Sequence, residues 1–300
     1  MKRSLLFSVF LFLHTQAEAF HFIAVGDTGK ANPGQYAIGK AIAEDCVANQ
    51  CRLGLLLGDN FYSDGVLSAN DPQFSDKFEK PYADFPKPFY VTLGNHDYGE
   101  RANQWERGQY QIDYGKRNAK WILPHFYYTF KEDHTRFIVL DTSRLFHGKD
   151  VQIQRNFLEA ALKLAKDEQA TWTILVMHHP YLSNGKHGNA GNYDGVPFPP
   201  YSGNHVKKMV EDLICNKVDL VFSGHDHSLQ VLKSPKNCEK TLFVISGAGA
   251  SASNDLGNRN PTWFQQSVLG YTHLKVGHQE MLITHRDEQS QDLYQHILCK

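Results

Sequence analysis

Several absences narrow the field before any motif is read. No Cys-x-x-Cys pair occurs among the five cysteines, which sets aside a zinc ribbon or a dithiol redox site. No Asn-x-Ser/Thr acceptor exists, because Asn260-Pro261-Thr262 carries the forbidden proline. An excess of either charge is also missing. The 31 Lys and Arg face 32 Asp and Glu, so no basic field holds a nucleic-acid backbone and no like-charge run forms a tail. Past the first 20 residues no apolar run approaches membrane-spanning length, and no repeat or low-complexity tract appears. A nucleic-acid binder and an integral membrane protein are therefore poor readings. What is present is 300 residues with 41% hydrophobic and 21% charged side chains, the make-up of one folded α/β domain.

The N-terminus reads differently. Lys2 and Arg3 precede the apolar run Leu5 to Leu13, and Ala17-Glu18-Ala19 places small residues at −3 and −1 of a cleavage site. This is the layout of a secretory signal peptide over residues 1–19, leaving one exported domain, secreted or periplasmic, over residues 20–300. In an oxidising compartment, proximity in sequence pairs Cys46 with Cys51 and Cys215 with Cys238, and leaves Cys299 unpaired.

Short apolar runs then recur, each stopping at polar turn formers. Phe22 to Val25 leads into Gly-Asp27, Leu53 to Leu57 into Gly-Asp59-Asn, and Phe89 to Leu93 into Gly-Asn95-His96-Asp. Thr173 to Met177 leads into His178-His179-Pro, and Val218 to Phe222 into Ser-Gly-His225-Asp-His227. Such runs read as buried strands. Val151 to Lys166 carries Phe157, Leu158, Ala161, Leu162 and Ala165 at helical spacing, with weaker helices expected over Tyr36–Cys46 and His205–Cys215. Further strands are expected at Phe126–Phe130 and Phe137–Leu140. From Leu229 onward the chain reads mostly as β, through Leu242–Ser246, Val268–Val276, Glu280–Thr284 and Tyr294–Leu298. All five polar motifs fall at strand ends, where α/β folds gather their ligands.

Asp27, Asp59, Asn95, His178, His225 and His227 are all hard or borderline metal donors. Two cations about 3.5–4 Å apart repel, so a carboxylate must lie between them, and Asp59 is the natural bridge. The histidines suit Fe, Zn or Mn. His178 and His179 compete for one role, since strand alternation sends them to opposite faces.

This ordered series resembles the metallophosphoesterase superfamily, and within it the purple acid phosphatases, especially the small tartrate-resistant type. The resemblance spans about Phe20 to Ile283. Many non-purple members have a histidine two residues after the first Asp; here Gly29 stands there, while Tyr62 occupies the purple enzymes' tyrosine position. The resemblance implies an α/β, four-layer sandwich of two mixed β-sheets flanked by helices. It implies that Asp27, Tyr62 and His227 bind Fe(III), that Asn95, His178 and His225 bind a divalent ion (Fe, Zn or Mn), and that Asp59 bridges. The family's His-x-Pro pattern selects His178. His96 and His187 fall on family histidines that hold phosphoryl oxygens and protonate the leaving group.

The implied activity is that of a monomeric acid phosphatase acting on small phosphate monoesters through attack by a metal-bound hydroxide. A phosphodiesterase or nucleotide hydrolase on the same scaffold is the nearest alternative. A non-catalytic metal- or phosphate-binding surface protein is the alternative from another class. The mammalian-type enzymes carry a long loop after the strand ending here at Asp141. Only Thr142 to Asp150 fill that gap, so no proteolytic activation is expected. The longer Gly188–Asn204 segment is the expected lid.

Overall fold

Continuous apolar runs make strands buried on both faces, and such strands need layers on either side. The computed structural model describes residues 19–99, 102–198 and 201–300, so the leader expected over residues 1–19 lies outside the described residues except for Ala19. The chain begins with β1 (Phe20–Val25), α1 (Pro33–Ala48), β2 (Leu53–Leu57) and β3 (Phe89–Thr92), then α2 (Trp105–Gly115) and β4 (Trp121–Ile122). These four strands run parallel, the geometry that helical crossovers impose.

A second sheet follows. It comprises β5 (Tyr128–Glu132), β6 (Thr135–Val139), β7 (Trp172–Val176), β8 (Leu220–Ser223), β9 (Leu229–Leu232), β10 (Leu242–Ser246) and β11 (Thr262–Gln266). Between its strands lie α3 (Thr142–Phe146), α4 (Val151–Asp167) and α5 (Asn204–Met209), the last continuing through Val210–Ile214 in a wider turn. The chain then returns to the first sheet with β12 (Gly270–Val276), β13 (Glu280–Asp287) and β14 (Asp292–Cys299). The sheet orders are β14-β13-β12-β1-β2-β3-β4 and β11-β9-β10-β8-β7-β6-β5. Both are mixed, since β12 pairs antiparallel with β1 and β9 antiparallel with β10.

Strand periodicity separates the layers. Phe137, Val139, Ile174, Val176, Leu220 and Phe222 join the first sheet's Phe22, Leu55 and Phe89 in one core. Their neighbours Ile138, Leu140, Leu175, Met177 and Val221 pack with Leu158 and Ala161 of α4 and Val206 of α5 in another. Phe22 reaches across with edge-on contacts to Phe137 (5.4 Å) and Phe222 (6.5 Å). The expected sandwich of two mixed sheets is thus observed.

Helix ends are set locally. Asn32 caps α1 by accepting from the Gln35 amide (2.9 Å), with Pro33 opening the helix, and Asp141 caps α3 through the Arg144 amide (3.0 Å). Both expected disulfides form, Cys46–Cys51 and Cys215–Cys238, and Cys299 is free and exposed. Four elements escape the sequence reading, the first being the single turn α3 within the expected Thr142–Asp150 connector. Helix α2 carries Gly108 against the Tyr98 ring, β4 is two residues long, and β11 has no buried residue. The strand expected at Phe126–Phe130 is shifted to Tyr128–Glu132. Among the described residues no helix is long and apolar enough to cross a membrane.

Candidate metal centre

The first sheet sends three polar loops and the second sends two to one seam. Asp27 follows β1, Asp59 and Tyr62 follow β2, and Asn95 and His96 follow β3, while His178 follows β7 and His225 and His227 follow β8. Asp27, Asp59 and His225 have φ of 59°, 54° and 70°, a left-handed backbone that turns each side chain sharply at the strand end. Glycine permits the crowding. A Cβ on Gly94 would lie 2.2 Å from Asp59 Oδ1, and one on Gly224 would lie 2.5 Å from Asp27 Oδ2.

The donors form two groups that share one atom. Tyr62 Oη lies 2.9 Å from Asp27 Oδ1, 3.0 Å from Asp59 Oδ2 and 2.9 Å from His227 Nε2. His178 Nε2 lies 3.1 Å from Asn95 Oδ1, 3.2 Å from His225 Nδ1 and 3.4 Å from the same Asp59 Oδ2. Ligand atoms of Asp59, His178 and His225 all fall within 4.8 Å of one another. His178 Nδ1 donates to the Leu57 carbonyl (2.9 Å), which leaves its Nε2 lone pair facing the group. One phenolic proton cannot serve two carboxylates and an imidazole nitrogen together, and the second group gathers two imidazole nitrogens and a carbonyl oxygen with no proton assured between them. A convergence of lone pairs this poor in protons is what cations satisfy, so the donor set fits a metal pair.

The electrostatics agree with such crowding. Burial and the Asp27 and Asp59 carboxylates push the Tyr62 phenol well above its ordinary range. Burial works against protonating His178, while the Asp59 carboxylate draws a proton onto it and raises its pKa to about 9 when no cation shares that charge; a bound cation displaces this proton and frees the Nε2 lone pair. His225 is pushed down by burial and by the surrounding imidazoles.

The supports were not singled out from sequence. Buried Asp97 accepts from the amides of Asn60 (3.0 Å) and Gly94 (2.7 Å), locking the β2 and β3 loops together. Lys30 donates to Ser251 Oγ (2.6 Å), which lies 3.1 Å from His227 Nδ1. Asp97 stood inside the Gly-Asn-His-Asp motif, whereas Lys30 and Ser251 act over separations that sequence pattern does not reveal.

His96 packs against the Tyr62 ring (4.4 Å) and holds the Ser63 carbonyl through Nδ1 (2.7 Å). The His187 ring lies 4.2 Å from that of His225, with Nδ1 on Asp194 Oδ1 (2.7 Å). His179 turns away to Thr142 Oγ1 (2.9 Å) and out of the donor set. A cavity of about 560 Å3 opens beside Asn95 and His225.

Comparison with known proteins places this geometry among relatives. The model of the calcineurin-like phosphoesterase family matches residues 20–229. Tartrate-resistant acid phosphatase type 5 of Rattus norvegicus is 27% identical over 317 residues, covering 93% of this chain and 90% of the relative. A purple acid phosphatase from yellow lupin (Lupinus luteus) seeds has a similar structure at TM-score 0.72 and 20% identity, covering 95% of this chain and 54% of that one. A Plasmodium protein described as the anchor in the inner membrane complex is similar at TM-score 0.77 and 23% identity, covering 94% and 89%. The two structural likenesses concern the fold alone.

Proposed function

The chain belongs to the calcineurin-like phosphoesterase family and is a phosphoester hydrolase; from that premise we propose an exported acid phosphatase that hydrolyses small phosphate monoesters at a mixed-metal centre. The observation that carries the reading is Asp59 Oδ2, 3.0 Å from Tyr62 Oη and 3.4 Å from His178 Nε2, between two otherwise separate donor groups. On this reading Asp27, Tyr62 and His227 hold Fe(III), Asn95, His178 and His225 hold the divalent ion (Fe, Zn or Mn), and Asp59 bridges. When bound, the pair supplies an activated water and neutralises charge on the phosphoryl group.

The remaining steps belong to the protein. Asn60 and Gly94, clasped on Asp97, fix the two loops so that the donors meet without rearrangement. The His187 Nδ1–Asp194 contact orients the imidazole so that Nε2 gives its proton to the leaving oxygen, and His96, anchored on Ser63, holds the phosphoryl oxygens. The leader over residues 1–19 and a single domain over residues 20–300 complete the proposal, with the enzyme acting as a secreted or periplasmic monomer; both disulfides support an oxidising destination.

The fold similarity to an anchor keeps a binding protein in view. A binder has no use for a full donor set, which favours catalysis. Hydrolysis of a monoester and a diester by purified protein, with a chelated control and elemental analysis, tests all readings. Monoester turnover that vanishes on chelation, with two metals per chain including iron, is the expected result. Preference for the diester, or zinc alone at full activity, overturns the monoester or the iron assignment.

A further inference from the structure

Deepening the mixed-metal reading above, on which it rests, we propose that Lys30 is a positioning residue for the iron side of the centre: held by Ser251 between Tyr62 and His227, its ammonium draws electron density from both and makes the ion they hold easier to reduce. Lys30 follows β1, three residues past Asp27, and is half-buried. Its Nζ lies 4.7 Å from the centroid of the Tyr62 ring, within the range at which an ammonium is attracted to an aromatic face. The same Nζ donates to Ser251 Oγ (2.6 Å), which lies 3.1 Å from His227 Nδ1. Ser251 follows β10 of the second sheet, so the ammonium is fixed from both halves of the molecule. Among the described residues no carboxylate forms an ion pair with it, and its charge is not cancelled by a direct partner.

The two donor groups are backed by opposite partners. His178 Nδ1 donates to the Leu57 carbonyl (2.9 Å), an acceptor that raises the basicity of the imidazole. His227 presents Nε2 to the Tyr62 side of the centre, 2.9 Å from Oη, so its Nδ1 carries the proton when Nε2 is a ligand. That proton meets a hydroxyl already accepting from an ammonium, which is a poorer acceptor than a carbonyl. His227 is therefore the weaker electron donor of the two. Above Tyr62 the same cation pulls phenolate density from the oxygen toward the ring. A fixed positive charge beside these ligands disfavours a trivalent ion more than a divalent one, and partial burial limits screening of the difference. An ion left poorer in electrons also polarises a phosphoryl oxygen more strongly.

The test compares iron-loaded wild type, Lys30→Met and Lys30→Arg. Methionine keeps an unbranched apolar stem against the Tyr62 ring and removes the charge, whereas arginine keeps the charge. Spectroelectrochemical titration follows Fe(III) taking one electron from the electrode to give Fe(II), with the visible band as the signal. In Lys30→Met the preference for Fe(III) over Fe(II) should rise about tenfold, a fall in potential of about 59 mV. The phenolate band should also move to longer wavelength, because the transition carries an electron away from the ring over which the ammonium stands. Lys30→Arg should stay close to wild type in both readouts. An unchanged potential in Lys30→Met, or an equal shift in Lys30→Met and Lys30→Arg, overturns the role of the charge while leaving the iron assignment intact. A colourless wild type, oxidised and fully loaded with iron, overturns the underlying reading instead.

Discussion

Asp27, Asp59 and His225 hold their side chains on a left-handed backbone, a conformation that non-glycine residues adopt at a cost of about 1–3 kcal/mol each. Three such residues around one point are a fold stabilised elsewhere for the sake of a site. Tyr62 provides the most direct test of what that site holds. A phenolate on Fe(III) absorbs visible light, so the iron-loaded protein should be coloured, and Tyr62→Phe should bleach the band at matched iron content. The ring packs against His96 in either case, so the mutant keeps its fold. A colourless, oxidised, iron-loaded wild type refutes the tyrosinate assignment. His187 offers a second test. His187→Ala should lower kcat on the order of 10²-fold and alter the pH–rate profile without changing metal content. An unchanged profile would reduce His187 to a loop residue. That these side chains meet was legible in sequence because each belongs to a short polar motif closing an apolar run. Asp194, which orients His187, was not, since it lies seven residues away in an irregular segment.

At the level of elements, α1 is fastened to the first sheet by a buried charge cluster. Asp45, near its C-terminal end, accepts from Arg286 Nη1 (2.7 Å), His273 Nδ1 (2.9 Å) and the Tyr271 hydroxyl (2.9 Å), residues of β12 and β13. Burial alone would raise the carboxyl pKa, but His273 and Arg286 hold it down at about 2. Displacement from an ordinary value near 3.9 corresponds to roughly 2.5 kcal/mol of stability. Because the folded value is the lower one, that stability is complete above about pH 4 and is lost as pH falls through about 2. Asp45→Asn should therefore destabilise at neutral pH, by on the order of 3 kcal/mol, and the gap from wild type should close in acid. Urea unfolding across a pH series measures it, and a gap independent of pH would show that shape, not charge, matters there. Sequence periodicity identified α1 but could not show this fastening, because Asp45 and Arg286 are 241 residues apart.

Across the whole molecule, the disulfides divide the work by loop length. Cys215–Cys238 closes 23 residues and Cys46–Cys51 only 5. Loop entropy assigns about 3 kcal/mol to the first and about 2 kcal/mol to the second. Replacing the first pair with alanines should lower Tm by several degrees more than replacing the second, as calorimetry can determine. An equal or reversed order would mean that native-state packing at the half-cystines outweighs the closed loop. The double sandwich itself was legible from β-α-β spacing and family resemblance. The return of β12–β14 to the first sheet after seven strands of the second was not, because strand patterns carry no information about partners so distant.

That return closes a structure whose donors are split between its halves. The first sheet supplies Asp27, Asp59, Tyr62 and Asn95, and the second supplies His178, His225 and His227. Neither half owns a complete centre: one offers oxygens, the other imidazoles. A chain with a single sheet formed, or with two sheets slipped by one 3.3 Å residue step, has no phosphatase to misdirect. Chemistry thereby becomes a readout of assembly, available only when both sheets have formed and met.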